Sequence, residues 1–348
     1  MTETRTEGTG AEEVVAAETA AELRDAPTMV DVFTDVDIDT ELATNPAGVA
    51  VVQLAEDDPR VVTLSADLST TIATFRERWP ERYIELGIAE TNSISISAGL
   101  AASGFLPYIY SMSPFGILKT AEQLRTDAAY NHLPVRLVGR LTGLAMGWFG
   151  TSHHAVEDVS IARAITGMTV VSPADSQSTI SLFAQTKDHP GPVYLRIAEG
   201  AEPVYEEPPT YERGKWLRAR EGSDVSIIAH GLGVGIAVRA AAELEQDGVS
   251  AEVWDAAYLK PYDEQAILEA AGRTGRLVTV EDHNVVGGLA SIVAETLGRH
   301  GADGVSARLA AVALPDEDLE VGAPAELYDH YGINVAGVVA RAKELAGR

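Results

Sequence analysis

The run "YIELGIAETNSISISAGLAASG" (residues 83–104) sets a carboxylate, Glu90, between the apolar stretch that ends at Ala89 and a tract of small residues suited to close packing. An unpaired buried carboxylate is costly or takes up a proton. Glu90 therefore needs a partner, a place at the surface, or the start of a helix whose dipole favours negative charge. A second run, "SHHAVEDVSIARAITGMTVVSPAD" (152–175), supplies two imidazoles, His153 and His154, able to donate or accept hydrogen bonds near neutral pH. A loop histidine is ordinarily solvated. Adjacent histidines rarely turn both rings to one ion without further ligands, so the pair is not read as a metal site. Phe115, in "SMSPFGILKTAEQLRTD", offers either a ring face to a planar ligand or plain core volume. Asp67, in "SADLS", follows an apolar run. It is either a turn former or cap, or a residue facing a ligand at the C-terminal edge of a parallel sheet. "HGLGVG" (230–235) resembles a dinucleotide loop only in part and is read as close helix–sheet packing.

Positioning such residues requires regular elements, and the chain alternates two kinds. "RVVTLSAD" (60–67), "FLPYIYS" (105–111), "PVRLVGRL" (134–141), "MTVVSPAD" (168–175) and "PVYLRIA" (192–198) are short, β-rich and mostly bounded by Pro, Gly or Asp. Residues 117–130 and 176–187 are long enough to be crossover helices, which argues for a parallel sheet covered on both faces. "AEGAEPVYEEPPTYERGKW" (198–216) interrupts this rhythm and reads as a linker. The pattern then restarts with "SDVSIIAHG", "SAEVWDA" and "RLVTVED". The expected fold class is α/β, with two consecutive domains of mainly parallel sheet covered by helices. They span residues 41–200 and 217–348, joined by a linker at 201–216 and preceded by an acidic mobile tail at 1–40. "SISISA" (93–98) stays ambiguous: its period of two fits a strand, its small residues a tightly packed helix.

Composition narrows the function. The chain has 348 residues, no cysteine, and a formal charge of -26 from 52 acidic against 26 basic residues. Disulfides and thiolate chemistry are excluded. No basic patch offsets the acidic excess, so nucleic acid is not an expected partner. No run of about 18 apolar residues suggests a membrane span. The N-terminal sequence lacks a basic start followed by an apolar core, so no signal peptide is read and the cytoplasm is the expected location.

With "RVVTLSADLS", "GPVYLRIAEG" and "VTVEDHNVVGGLAS", the two runs described first resemble the C-terminal half of transketolases over roughly residues 42–346, in the same order. That half comprises the pyrimidine-binding domain and the C-terminal domain of these thiamine-diphosphate enzymes. The resemblance implies that Glu90 hydrogen-bonds a ring nitrogen of the cofactor's aminopyrimidine and so takes part in its activation. It implies that Phe115 stacks on that ring, that Asp67 faces the cofactor edge, and that His153 hydrogen-bonds the donor substrate. Glu90 and His153 are thus the expected catalytic pair. His154, Thr71, Trp148 and Phe149 join His153 on the expected substrate side. The C-terminal domain is implied to carry little chemistry of its own.

The sequence also departs from the family. No "GDG" motif with a following Asn occurs, so thiamine diphosphate's Mg²⁺ and phosphates are expected on a separate α-like subunit, in an α2β2 heterotetramer. No metal is expected to be held by this chain. Trp148 and Phe149 precede Gly150 where the family has Glu-Asp; Leu141 stands for a His and Glu199 for an Arg that hold a sugar phosphate. Arg196 is out of register to replace that Arg, and Thr71 keeps a hydroxyl where the family has a phosphate-contacting Ser. The resemblance implies transfer of a two-carbon ketol or acyl unit, and these changes point to an acceptor other than an ordinary sugar phosphate, one with an apolar or ring portion, or to a smaller 2-oxo-acid donor. The acidic, Ala-rich, cysteine-free composition is compatible with a specialised biosynthesis. The β subunit of a 2-oxo-acid dehydrogenase and a non-catalytic regulatory partner are the alternative readings.

Overall fold

In the computed structural model, which describes residues 42–198 and 200–347, the apolar runs become two sheets. The acidic tail expected at 1–40 lies outside the described residues. The first half of the chain supplies β1 (Val61–Ser65), β2 (Tyr83–Glu85), β3 (Leu106–Met112), β4 (Arg136–Arg140), β5 (Thr169–Val171) and β6 (Val193–Arg196). The second supplies β7 (Leu217–Arg220), β8 (Val225–Ala229), β9 (Ala251–Asp255), β10 (Tyr258–Lys260), β11 (Arg276–Asn284) and β12 (Arg308–Leu314). The larger sheet runs β10-β5-β6-β4-β3-β1-β2 and the smaller β12-β11-β8-β9-β7. Every pairing is parallel except those of the edge strands β10 and β7. β1, β3, β4 and β6 are buried almost throughout, as expected of strands covered on both faces. β10 comes from the second half of the chain yet closes the first sheet against β5.

The ambiguous "SISISA" lies within the helix Glu90–Ala102. Its buried residues are Glu90, Ser93, Ile94, Ser97, Ala98 and Ala101, a helical spacing that puts the small side chains on one packed face. "HGLGVG" opens the helix Gly233–Gln246, and a Cβ at Gly233 would lie 2.9 Å from the Val280 carbonyl of β11, so these glycines serve close packing. Residues 201–216 contain no helix or strand but are held down. Asp175 caps the helix Ser176–Thr186 and also accepts from the backbone N–H groups of Val204 and Tyr205, each at 2.8 Å. The hydroxyls of Tyr205 and Tyr211 donate to Asp255 at 2.8 and 2.6 Å. Burial raises that carboxyl to about 7.

A buried ionic network welds the two sheets together. Arg196, at the end of β6, pairs with Asp158 at 2.8 Å and with Asp282 of β11 at 2.6 Å, and all three side chains are fully buried. Tyr194 donates its hydroxyl to Asp158 at 2.6 Å, and a second guanidinium nitrogen of Arg196 donates to the Asp282 carbonyl at 3.1 Å. Arg196 therefore faces the domain junction, in keeping with its register. His230 joins from the end of β8, sharing a hydrogen bond with Ser172 at 3.0 Å.

Replacing Arg196 by Met should leave two buried carboxylates without their cation and cost about 3–5 kcal/mol of unfolding free energy, measured by chemical denaturation. Burial lowers His230 to about 4, below its unfolded value, so its contribution is complete above about pH 6.5 and disappears as pH falls through about 4. His230→Gln should flatten that acid limb in a stability-against-pH series.

Candidate functional site

The C-terminal ends of β2, β1, β3 and β4 lie side by side in the first sheet, and each releases one candidate residue. Asp67 follows β1, Glu90 follows β2, Phe115 follows β3 and His153 follows β4. This is the edge at which open parallel sheets bind ligands.

Glu90 is the first residue of its helix, its side chain only 7% exposed. The helix dipole favours a carboxylate there. Its partner is one the sequence did not single out: Lys119 Nζ stands 3.2 Å from Glu90 Oε2. The same ammonium lies over the Phe115 ring, 4.7 Å from the centroid. Phe115 meets His153 edge-on at 5.1 Å, and Phe149 leans on His153 at 4.7 Å. Ser152 Oγ shares a hydrogen bond with His153 Nδ1 at 2.8 Å. Glu90, Lys119, Phe115, His153 and Phe149 thus form one continuous chain of contacts.

The remaining candidates sit differently. Asp67 is exposed, with a left-handed backbone (φ 61°), and its N–H donates to Glu85 at 3.3 Å. Glu85 also accepts from the Gly87 N–H at 2.8 Å and so ties the Asp67 turn to the segment that leads into Glu90. His154 is buried beside His153, with no hydrogen-bond partner at Nε2, and burial lowers its pKa, which keeps the imidazole neutral. Trp148 is 61% exposed and Phe149 58%. Thr71 stands apart: it is 4% exposed, and its carbonyl accepts from Asn45, which in turn accepts from Arg140. Leu141 is half-buried, with φ at 58°, a strained geometry for a leucine. Glu199 lies outside the described residues.

The loop that carries the histidines and the aromatic pair is clamped by the second half of the chain. The Leu144 N–H donates to Tyr328 Oη at 3.0 Å, Thr142 to Asp282 at 3.3 Å, and the Asn284 N–H to the Val156 carbonyl at 2.9 Å. A Cβ at Gly143 would come within 2.3 Å of Asp282 and 2.7 Å of Tyr328 Oη, and its φ is +58°. Sequence reading found neither this clamp nor Lys119. A lysine after a short helix is usually solvated, and residues 140 positions apart carry no local signal of contact.

This architecture matches known proteins. Residues 43–203 match the transketolase pyrimidine binding domain and residues 214–338 the transketolase C-terminal domain. An apulose-4-phosphate transketolase subunit of Phocaeicola vulgatus is 36% identical over 84% of this chain and 94% of its own length. The 6-deoxy-6-sulfo-D-fructose transketolase subunit SqwH of Clostridium sp. (strain MSTE9) is 38% identical over 86% and 92%. Among solved structures, a split gene transketolase described as an inactive beta4 tetramer superposes with a TM-score of 0.80 at 33% identity, covering 87% of this chain and 97% of that one. The chain belongs to the transketolase family. Other, longer relatives match over less than half of their length.

Gly143→Ala should cost about 1–3 kcal/mol through strain and collision with Asp282. Phe149→Ala removes an exposed ring, so its unfolding free energy should match the parent within about 0.5 kcal/mol. Paired denaturation curves test both.

Proposed function

We propose that this chain is the β-like subunit of a split transketolase-type transferase that moves a two-carbon ketol or acyl unit with thiamine diphosphate. The observation that carries the reading is the convergence of Glu90, Phe115 and His153 on one edge, each from a different strand end. A buried carboxylate beside an aromatic face suits the aminopyrimidine end of that cofactor. An α-like partner then supplies the diphosphate-binding domain and its Mg²⁺, in an α2β2 assembly. Two relatives named as transketolase subunits and one named as a split gene product support that division. No described helix is long and apolar enough to cross a membrane, and the cytoplasm is the proposed location.

When bound, thiamine diphosphate supplies the electron sink for cleaving and forming the carbon–carbon bond. Glu90 would hold a ring nitrogen of that group and share a proton with it, Phe115 would pack against its ring face, and Asp67 would lie at its edge. His153 is braced on two aromatic rings and by Ser152, so it can keep one orientation toward the donor oxygen. Trp148 and Phe149 offer apolar surface at the mouth, while Leu141 offers no donor for a phosphate. These features favour an acceptor with an apolar or ring portion, or a smaller 2-oxo-acid donor, over an ordinary sugar phosphate.

Carbon-transfer assays should show turnover only when this chain is combined with its partner subunit and magnesium. Activity of the chain alone would contradict the reading. In the complex, Glu90→Ala should lower kcat at least about 100-fold. Efficient conversion of xylulose 5-phosphate and ribose 5-phosphate would refute the acceptor assignment.

A further inference from the structure

The contacts of Lys119 carry a consequence for cofactor affinity that rests on the function proposed for this edge. A planar ring bonded to Glu90 and stacked on Phe115 must occupy the space over that ring and beside that carboxylate. Lys119 Nζ is already there, 3.2 Å from Glu90 Oε2 and 4.7 Å from the Phe115 centroid. We infer that Lys119 stands in for the aminopyrimidine and is displaced from Glu90 when the cofactor binds, so that this ion pair sets the affinity.

The physical basis is the asymmetry of the pair. Glu90 is almost wholly buried, whereas the Lys119 side chain is 48% exposed. The carboxylate cannot leave its place at the start of the helix Glu90–Ala102, and without a partner it would lack compensation for its burial. The lysine lies in the turn after the helix Ser113–Ile117, on a flexible stem that reaches water by rotating outward. Thr120, directly after it, is buried, and its hydroxyl donates to the Gly116 carbonyl. The backbone is thus pinned while the ammonium stays free to swing. The exchange keeps Glu90 paired in both states, and the cofactor must outcompete a tethered cation for it.

The test uses the complete complex of this chain with its partner, with thiamine diphosphate and magnesium as the probe. Calorimetric titration should give a Kd about 3- to 10-fold lower for Lys119→Met than for the parent, because the competitor is gone. Lys119→Gln should move in the same direction, and Lys119→Arg, which keeps the cation, should stay within about twofold. The cofactor-free Met variant should melt about 2 °C below the parent, and saturation with cofactor should abolish that difference. An unchanged or higher Kd in both neutral variants overturns this inference alone. A parent complex that binds no thiamine diphosphate overturns the functional reading and this inference with it.

Discussion

One guanidinium holds the architecture in register. Arg196 sits between Asp158 and Asp282, three charges without solvent, and their mutual attraction is what makes their burial tolerable. Asp158 begins the helix that follows the histidine loop, and Asp282 belongs to the second sheet. The pairing therefore fixes both the junction of the sheets and the far end of the loop that leads from β4 through His153 to that helix. Tyr328 and Asp282 fix the near end through Leu144 and Thr142. That clamp adds to the contacts the loop makes within itself, where the His153 and His154 N–H groups donate to the Gly150 carbonyl and Phe149 leans on the His153 ring.

From this follows a role for the second half of the chain. Among its described residues none joins the cluster of Glu90, Phe115 and His153, yet it shapes the loop that closes one side of it. It also gives β10 to the first sheet, so the two halves share a sheet as well as an ionic network. A candidate site at a sheet edge, walled by a loop that the other half holds rigid, positions its groups before any ligand arrives.

Much of this was legible in the sequence where side-chain pattern alone decides structure. The five short apolar runs mostly bounded by Pro, Gly or Asp form strands that are buried almost throughout, and the carboxylate of Glu90 stands out between an apolar stretch and small residues. β2, β5 and β10 have three residues each, and of these β5 was legible because it sits in the longer β-rich run "MTVVSPAD". The serines of "SISISA" alternate like a strand but pack like a helix, since small side chains let the backbone approach the sheet. Lys119 and the Asp282 clamp were invisible because they depend on long-range convergence: Glu90 meets a cation 29 residues on, and Thr142 a carboxylate 140 residues on. The register of Arg196 told against a substrate role but did not disclose its two buried partners.

The proposed chemistry requires Glu90 to act on the cofactor itself rather than only on fold or substrate. Exchange of the thiazolium C2 proton of bound thiamine diphosphate with deuterium, followed by quenched NMR in the complete complex, reports on that step before any substrate is present. Exchange in the parent complex should be far faster than in free cofactor, and Glu90→Ala should slow it toward the free rate while the cofactor remains bound. Parent-like exchange in that variant would contradict the role assigned to Glu90.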